Sequence, residues 1–377
     1  MKNSRLNIGL IFGGKSTEHD ISIISALQVY NALNKDKYNV YMLYIDKDNN
    51  IYMGKELHKL ETYKTNTYLL HSKKVSLVKN DQDVYVVNRR KKVKIDCFVP
   101  VLHGEGVEDG TIAGILEFLG ATYVTSDITS SSIAQDKIYT KDILKRYHIT
   151  TPRYTWVLSN ESCDIICESI KSKLRFPVII KPARLGSSIG IEIANKPEEL
   201  CDKLKKVFLY SNKLIIEEMV ENIKEYNCAA FTFGGKIITS KIEEVTSLNE
   251  FLTFEDKYVE KKTKEDLSNK IIPANISEEL EEKIIQLTKT IYQILGFKGV
   301  IRIDYMYDEK KQRLYFNEVN TIPGSYAYYL FDKCGISFDK MLDMLIKEAL
   351  IEKMKQTKLV KVFESNILSG KTLKLNK

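Results

Sequence analysis

Hydrophobic and polar positions change period several times along the chain, and each change marks a predicted strand or helix. Continuous apolar runs at residues 6–12, 38–45 and 95–102 predict buried strands. Between the first two runs, apolar residues recur three or four positions apart, which predicts a helix over residues 20–34. A strand, a loop, a helix and a second strand form a βαβ unit, so we expect a parallel sheet near the N-terminus.

The rest of the chain alternates between the same two patterns. Further strands are predicted at residues 176–180, 214–219, 226–233 and 236–242, and further helices at residues 111–119, 136–147, 278–295 and 338–351. Residues 46–94 are weakly patterned and rich in Lys and Asn, so we expect short strands and loops there. The Ser- and Thr-rich residues 126–134 predict a domain boundary. At 377 residues, this α/β pattern predicts two or three domains.

A predicted β-hairpin carries the first candidate site. Two β-branched and aromatic runs flank a charged turn at residues 308–312. Because side chains alternate along a strand, Arg302 and Asp304 share one face of the first strand, and Glu318 and Asn320 share one face of the second. Two carboxylates and an amide oxygen suit a hard cation such as Mg²⁺ that is shared with substrate phosphates. The alternative is a solvent-facing hairpin whose charges pair with one another.

Two polar, glycine-containing loops follow predicted strands of the N-terminal sheet. The first ends in Glu18, and the second, residues 103–110, begins with His103. Both would lie at the carboxyl ends of parallel strands, where open α/β sheets bind ligands. For each loop alone there is a structural alternative: a helix cap formed by Thr17 with Asp20, and a buried structural role for His103.

A third loop of small residues follows the predicted strand at residues 176–180. It contains Lys181, Ser187 and Ser188, and its lysine, hydroxyls and backbone N–H groups suit a phosphate group. The spacing is not that of a P-loop, so an ordinary flexible turn is the alternative. Further along, the long polar segment of residues 246–270 predicts a lid.

Composition restricts the classes of function. The apolar and charged fractions are those of a soluble globular protein, and no apolar run reaches membrane-spanning length. The first residues do not form a signal-peptide pattern, and six cysteines without CxxC pairs predict free thiols in a cytoplasmic protein. Cys163 and Cys167 have no further metal ligand close by in sequence. The net charge of +7 fits anionic small substrates as well as nucleic acid, and we find no nucleic-acid motif.

Seven motifs occur in a fixed order along the chain. They are GGKSTEHDIS from Gly13, LHGEGVEDGT from Leu102, AQDK ending at Lys137, KPARLGSSIG from Lys181, FEDKY ending at Tyr258, RID ending at Asp304 and NEVNTIPG from Asn317. Together they resemble the D-alanine–D-alanine ligases of the ATP-grasp superfamily, over residues 6–351. The resemblance implies an N-terminal parallel α/β domain followed by two ATP-grasp domains. The implied limits are residues 1–125, 126–216 and 217–351, with a lid at 246–270 and a basic tail at 352–377.

The resemblance also implies an activity. The protein would join two D-alanines with ATP, through an acyl-phosphate intermediate, for peptidoglycan precursor synthesis in the cytoplasm. Its partners would be D-amino acids and ATP, with no nucleic acid or membrane, and a homodimer is left open. The implied catalytic residues are Glu18, Ser187, Tyr258, Arg302 and Gly324. The implied ATP-binding residues are Lys137, Lys181, Ser187, Ser188, Glu217, Glu218, Val220, Glu225 and Lys257. Two Mg²⁺ ions, or Mn²⁺ in their place, would be held by Asp304, Glu318 and Asn320.

One segment departs from the family pattern. After Gly324 the family usually has small hydroxyl residues, whereas this chain has three tyrosines and a shorter stretch to Gly335. We expect the acceptor site to be formed by His103, Ser325, Tyr328, Tyr329 and Leu330. A D-serine acceptor and a non-catalytic ATP-grasp binding protein are the alternatives, and the complete set of carboxylate and amide residues on the hairpin disfavours the latter. The lid sequence at Lys257 disfavours a D-lactate acceptor.

Overall fold

The computed structural model describes residues 5–245, 270–360 and 362. The expected lid, with Lys257 and Tyr258, lies outside the described residues. The helices are α1 His19–Ala32, α2 Glu61–Lys64, α3 Tyr68–His71, α4 Thr111–Leu119, α5 Ile128–Gln135, α6 Lys137–Arg146, α7 Cys163–Lys173, α8 Leu200–Phe208, α9 Glu278–Ile294, α10 Tyr328–Asp332 and α11 Phe338–Gln356, with single turns at Lys55–His58, Pro197–Glu199 and Gly324–Ala327.

The strands form three sheets. They are β1 Leu6–Gly13, β2 Tyr38–Ile45, β3 Ile51–Gly54, β4 Ser72–Asn80, β5 Asp83–Val87, β6 Lys92–Ile95, β7 Cys97–Val101, β8 Tyr154–Leu158, β9 Val178–Pro182, β10 Glu192–Ala194, β11 Lys213–Glu218, β12 Ile223–Phe233, β13 Lys236–Thr239, β14 Glu243–Val245, β15 Lys270–Ile271, β16 Ile301–Asp308 and β17 Arg313–Asn320.

The N-terminal sheet has the order β6-β5-β4-β3-β2-β1-β7. β1 pairs in parallel with β2 and β7, as expected, but β3 to β6 extend the sheet antiparallel. Most of the connections after β2 are short turns, which return the chain beside the strand it has left. β1 is buried on both faces: Leu10 packs toward α1 and Ile11 packs toward α4. This explains its continuous apolar run.

The central sheet is antiparallel, in the order β10-β9-β11-β8. Helices α7 and α8 cover one face through Ile166, Ile170 and Leu204, which pack with Ile180 and Ile216. β11 continues to Glu218. The limit expected between residues 216 and 217 therefore falls inside a strand.

Helix α5 occupies the Ser- and Thr-rich stretch that we expected to be only a boundary. Asp127 caps it by accepting a hydrogen bond from the Ser130 backbone at 2.9 Å. Ser130 and Ser131 are buried, and both hydroxyls bond to protein oxygens. Asp127 therefore starts a helix in this stretch, and the serines pack it against neighbouring segments.

The C-terminal sheet has β12 at its centre, with β16 and then β17 on one side, and β14 and β15 on the other. The predicted hairpin is confirmed as β16 and β17. Helix α9 packs on Ile301, Ile303 and Tyr305 of β16, so the alternate side chains of this strand face the central domain. Helix α11 crosses back to the core of the N-terminal sheet, where Tyr38 donates to Asp343 at 2.9 Å.

Two further expectations have an outcome in the structure. Cys163 and Cys201 form a disulfide, so the prediction that all cysteines are free thiols is wrong for this pair. The two cysteines lie on different helices, and their spacing in sequence gave no sign that they would meet. Over the described ranges 5–245 and 270–360, no helix is both long enough and apolar enough to cross a membrane.

Candidate active site

The paired strands of the hairpin bring the four predicted side chains to one surface. Arg302 lies opposite Asn320 and Asp304 lies opposite Glu318 in the antiparallel register, with a bulge directly after Asp304. Arg302 grips Asp304 through two hydrogen bonds of 2.6 and 2.8 Å, and the Asn320 amide donates to the same carboxylate at 3.2 Å. The alternative of a hairpin with paired charges thus describes the contacts of Asp304, but the pair does not face open solvent.

The opposite wall of the cavity comes from the central sheet. Alternation along β9 and β11 turns Ile179, Lys181 and Glu217 away from α7 and α8, toward the hairpin. Lys137, the first residue of α6, donates to the Leu185 carbonyl at 2.6 Å and lies 3.5 Å from Glu318. The lining residues are Lys137, Ile179, Lys181, Pro182, Leu185, Gly186, Ser188, Ile189, Ile191, Glu225, Asp304, Tyr305, Met306, Asn317 and Glu318. A cavity lined by lysines, carboxylates and apolar side chains suits a nucleotide.

A buried cluster of charges supports this wall. Glu217 accepts hydrogen bonds from Lys181 at 2.7 Å and from Lys141 of α6, and all three residues are buried. Burial opposes ionisation of Glu217, but the two lysines outweigh it and lower its pKa to about 2. Glu217 is therefore an anion that fixes the position of Lys181. Sequence reasoning missed Lys141, whose burial on α6 shows only in the fold.

Glu18 joins two of the polar loops. Its carboxylate accepts a hydrogen bond from the Ser187 hydroxyl. A Cβ at Gly104 would lie 3.0 Å from the carboxylate, and one at Gly186 would lie 3.3 Å from it. Glycine at these two positions lets both loops approach Glu18. Among the described residues, no side chain caps the start of α1, so the alternative of a Thr17 cap is wrong.

His103 is buried beneath the same loops. Its Nε2 lies 3.1 Å from the Ser25 hydroxyl, and its carbonyl accepts from Ser16 at 2.6 Å. Burial, together with the charge of Arg302, lowers the pKa of His103 to about 4, so the imidazole is neutral near pH 7.

A second buried carboxylate, Glu108, links the His103 loop to the segment after β17. It accepts from the Gly104 backbone at 3.1 Å and from the Ile322 backbone at 2.8 Å, and the Thr321 hydroxyl donates to it at 3.1 Å. Burial and the nearby charge of Glu18 raise the pKa of Glu108 to about 7. Sequence reasoning assigned this residue no role, although it lies within the quoted motif.

The segment after Gly324 forms a strained turn. Gly324 is exposed, and a Cβ there would meet no atom within 4 Å. Ser325, Tyr326 and Ala327 follow with φ values of 49°, 56° and 49°. Left-handed backbone at non-glycine residues costs on the order of 1–3 kcal/mol each, so surrounding contacts must hold it. Ser325 N donates to Ser25 at 3.2 Å, and the fully buried Tyr326 donates to a backbone carbonyl of β7.

This turn divides the residues expected in the acceptor site. The Tyr329 hydroxyl donates to the buried Glu243 at 3.1 Å. Leu330 is fully buried in the core, and Tyr328 stacks on Phe338 with ring centres 4.3 Å apart. In this structure Leu330 and Tyr328 therefore pack against the core and α11, and their place in the acceptor site stays a prediction.

The remaining predicted ATP residues fall in different surroundings. Glu225 on β12 lines the cavity. Glu218 instead accepts from the Arg175 backbone at 3.0 Å, on the outer side of the central sheet. Val220 follows β11 directly and is partly exposed.

The hairpin carries a donor set that suits a divalent cation. Asp304, Glu318 and Asn320 present hard oxygen atoms on one face, opposite two lysines that suit phosphate. In the described part of the chain, no cluster of three or more His, Cys, Asp or Glu side chains could hold a metal ion alone. The residues therefore fit a cation that takes its other ligands from substrate phosphates and water.

Comparison with known proteins decides the family. Residues 7–126 match the model for the D-ala D-ala ligase N-terminus, and residues 143–347 match the model for the D-ala D-ala ligase C-terminus. The D-alanine–D-alanine ligase of Thermosipho melanesiensis is 38% identical over 370 residues, which are 97% of this chain and 99% of that protein. The chain belongs to the D-alanine–D-alanine ligase family. The resemblance stated from the motifs is thereby confirmed.

Solved structures of the ligase family agree with the fold. The VanG D-Ala:D-Ser ligase from Enterococcus faecalis has a TM-score of 0.79 at 30% identity. The match covers 92% of this chain and 100% of the VanG chain. The D-alanine–D-alanine ligase from Bacillus anthracis, complexed with ATP, has a TM-score of 0.67 at 26% identity, covering 93% and 99%. The expected ATP-grasp architecture is confirmed.

Proposed function

We propose that this ligase joins two D-alanines with ATP, by way of an acyl phosphate, and that it supplies peptidoglycan precursors in the cytoplasm. The observation that carries the proposal is the convergence of Lys137, Lys181 and the Asp304–Glu318 pair on one cavity that borders the Glu18–Ser187 contact. A carboxylate is a poor acyl donor, and phosphorylation converts it into one that an amine can attack. Both reactions place negative charge where cationic groups must stabilise it.

The nucleotide would lie between the central and C-terminal domains. Lys137 and Lys181 would contact the phosphates with Ser187, Ser188 and the lid residue Lys257. Glu225 would bind the ribose hydroxyls. Glu217 and Val220 would border adenine, with Ile179 and Met306 as apolar walls. Glu218 would contribute through its backbone, because its side chain points to Arg175.

The first D-alanine would place its ammonium on Glu18. Ser187 orients that carboxylate, and Tyr258 of the lid would complete the set. Arg302 and the Gly324 N–H would face the tetrahedral oxygen that forms when the amine attacks. The exposure of Gly324 leaves room for it. Closure of residues 246–270 would keep water from the acyl phosphate.

Asp304, Glu318 and Asn320 would hold two Mg²⁺ ions, with Mn²⁺ as a substitute. Bound there, a divalent cation neutralises charge on the transferring phosphoryl group. Arg302 donates two hydrogen bonds to Asp304 and so fixes the carboxylate on the face of the hairpin where it would hold such a cation.

The acceptor would be a second D-alanine bordered by His103, Ser325 and Tyr329. A neutral His103 cannot repel the incoming ammonium, and it can accept a proton only weakly. D-serine is the competing acceptor. The partners would be D-amino acids and ATP, not nucleic acid.

We propose residues 1–125, 126–216 and 217–351 as the three domains, with 352–377 as a basic tail. The last two residues of β11 nevertheless belong to the central sheet.

We also propose a homodimer. The α4 surface exposes Ile115 and Phe118, the latter to 87%, which is unusual for a free surface. Light scattering should give twice the chain mass, and Phe118→Glu should give the monomer. A monomeric wild-type protein would contradict the dimer.

The activity is tested with pure protein, ATP, Mg²⁺ and D-amino acids alone and in pairs, measuring phosphate release and product mass. We expect D-alanyl-D-alanine. Asp304→Asn and Glu318→Gln should each lower turnover on the order of a hundredfold or more, the scale of removing a charge-stabilising group. Glu309→Gln makes the same change in the exposed turn of the same hairpin and should leave turnover unchanged. Near-normal turnover of either site variant would refute the metal assignment. A product that contains D-serine as its second residue would show that the acceptor is D-serine and not D-alanine.

A further inference from the structure

Three cysteines gather on the outer face of the central domain. Cys163 begins α7, Cys167 lies one helical turn later, and Cys201 is the second residue of α8. Cys163 is bonded to Cys201, and the Sγ atom of Cys167 lies 3.9 Å from the Sγ of Cys163. A third sulfur is therefore in position to reach the disulfide with a small side-chain movement.

The position of the cluster separates it from the nucleotide cavity. Ile166 and Ile170 of α7 pack on one face of the central sheet, whereas Lys181 and Glu217 project from the other. All three cysteines are partly exposed, so a small thiol in solution can reach them. The other described cysteines differ: Cys97 and Cys228 are buried, and Cys334 is exposed on another domain.

We propose that Cys163, Cys167 and Cys201 form a thiol–disulfide exchange site that reacts with low-molecular-weight thiols, with Cys167 as the resolving cysteine. The small thiolate attacks the Sγ of Cys163, and Cys201 leaves as a thiolate. The Cys167 thiolate then attacks the Sγ of Cys163, and the small thiolate leaves. One disulfide is broken and one is formed in each step, so no external oxidant or reductant is consumed.

The exchange would change how the domain is held together. The Cys163–Cys201 bond closes a loop with a sequence separation of 38 residues, and this loop carries Lys181 and Ser187. Transfer of the bond to Cys167 places it within α7 alone and frees α8. Because a disulfide restricts the loop that it closes, exchange would release a constraint on the segment that holds the phosphate loop.

The experiment uses the full-length protein purified without reductant. It is incubated with reduced glutathione in mildly alkaline buffer, quenched with acid, alkylated and mapped by mass spectrometry without reduction. At the start we expect the Cys163–Cys201 link. On incubation, a Cys163–Cys167 link should appear with alkylated Cys201, and little glutathione should remain attached.

Two variants isolate the step assigned to Cys167. In Cys167→Ser the exchange cannot be completed, so glutathione should accumulate on Cys163. In Cys201→Ser, oxidised glutathione should produce the Cys163–Cys167 link directly. Cys334→Ser is the control and should behave as the wild type. The proposal is overturned if wild type and Cys167→Ser accumulate glutathione equally, if Cys201→Ser forms no internal link, or if the purified protein holds all three thiols reduced and oxidised glutathione links none of them.

Discussion

Among single residues, Lys141 shows most clearly how this ligase prepares its nucleotide site. It shares the buried Glu217 carboxylate with Lys181. Burying three charges costs folding free energy, and leaving one of them without a partner would cost more. The cluster therefore holds Lys181 at the wall of the cavity, where we propose that it contacts the phosphates. Lys141 has a positioning role, since it does not line the cavity itself.

We predict that Lys141→Met will raise the KM for ATP by about tenfold or more, with a smaller change in the KM for D-alanine. Without Lys141, Glu217 draws Lys181 toward itself, which withdraws charge worth about 1–3 kcal/mol from the phosphates. Steady-state kinetics check this. Lys145→Met changes an exposed lysine one turn further along α6 and is the matched control. Equal increases in both KM values would point to general destabilisation instead.

At the level of whole elements, the sequence predicted what short-range periodicity determines. The β16–β17 hairpin was predictable because alternation alone places Arg302 and Asp304 on one face. Helix α5 was not predictable, because a run of Ser and Thr is typical of a connecting segment, and the cap by Asp127 shows only in the structure. The Cys163–Cys201 link was also hidden, since it depends on the packing of two helices.

The backbone conformation of the segment after Gly324 was not predictable for a related reason. Left-handed backbone at Ser325 and Tyr326 is unfavourable locally, and only tertiary contacts with α1 and β7 select it. The sequence places three tyrosines directly after Gly324, but the directions of their side chains depend on this turn.

The turn yields a matched pair of variants. Tyr329→Phe removes a hydroxyl that bonds Glu243 close to Arg302, whereas Tyr328→Phe keeps the ring that stacks on Phe338. We predict that Tyr329→Phe lowers acceptor kcat/KM by about tenfold, the scale of one lost hydrogen bond in a buried site. Tyr328→Phe should be close to wild type, and first-substrate affinity should be unchanged in both. If the two variants behave alike, the acceptor pocket does not include Tyr329.

Over the whole molecule, the residues of the proposed site come from all three sheets and the loops that follow their strands. Glu18 and His103 follow strands of the N-terminal sheet, Lys181 and Ser187 belong to the central domain, and Arg302 lies on the C-terminal sheet. Glu108 connects the first of these regions to the last, since it bonds both the Gly104 loop and the segment at Ile322. Ionisation of Glu108 should therefore change the free energy of unfolding of the whole protein.

The pKa of Glu108 is about 7 in the folded protein, against an ordinary value of 4.5. Between these values the folded state binds more protons than the unfolded state, so stability falls as pH rises from 4.5 to 7 and changes no further above that. Glu108→Gln cannot ionise and should lack this loss, although a Gln amide facing the Gly104 N–H should lower stability by about 1–3 kcal/mol at every pH. We compare the change in thermal midpoint between about pH 5 and about pH 8 in both proteins, which cancels titrating groups that they share. Glu105→Gln, in the same loop, is the control and should keep the wild-type pH dependence. A Glu108→Gln protein with the same pH dependence as the wild type would show that Glu108 is ionised throughout, and that the hydrogen bonds from Gly104 and Ile322 outweigh its burial.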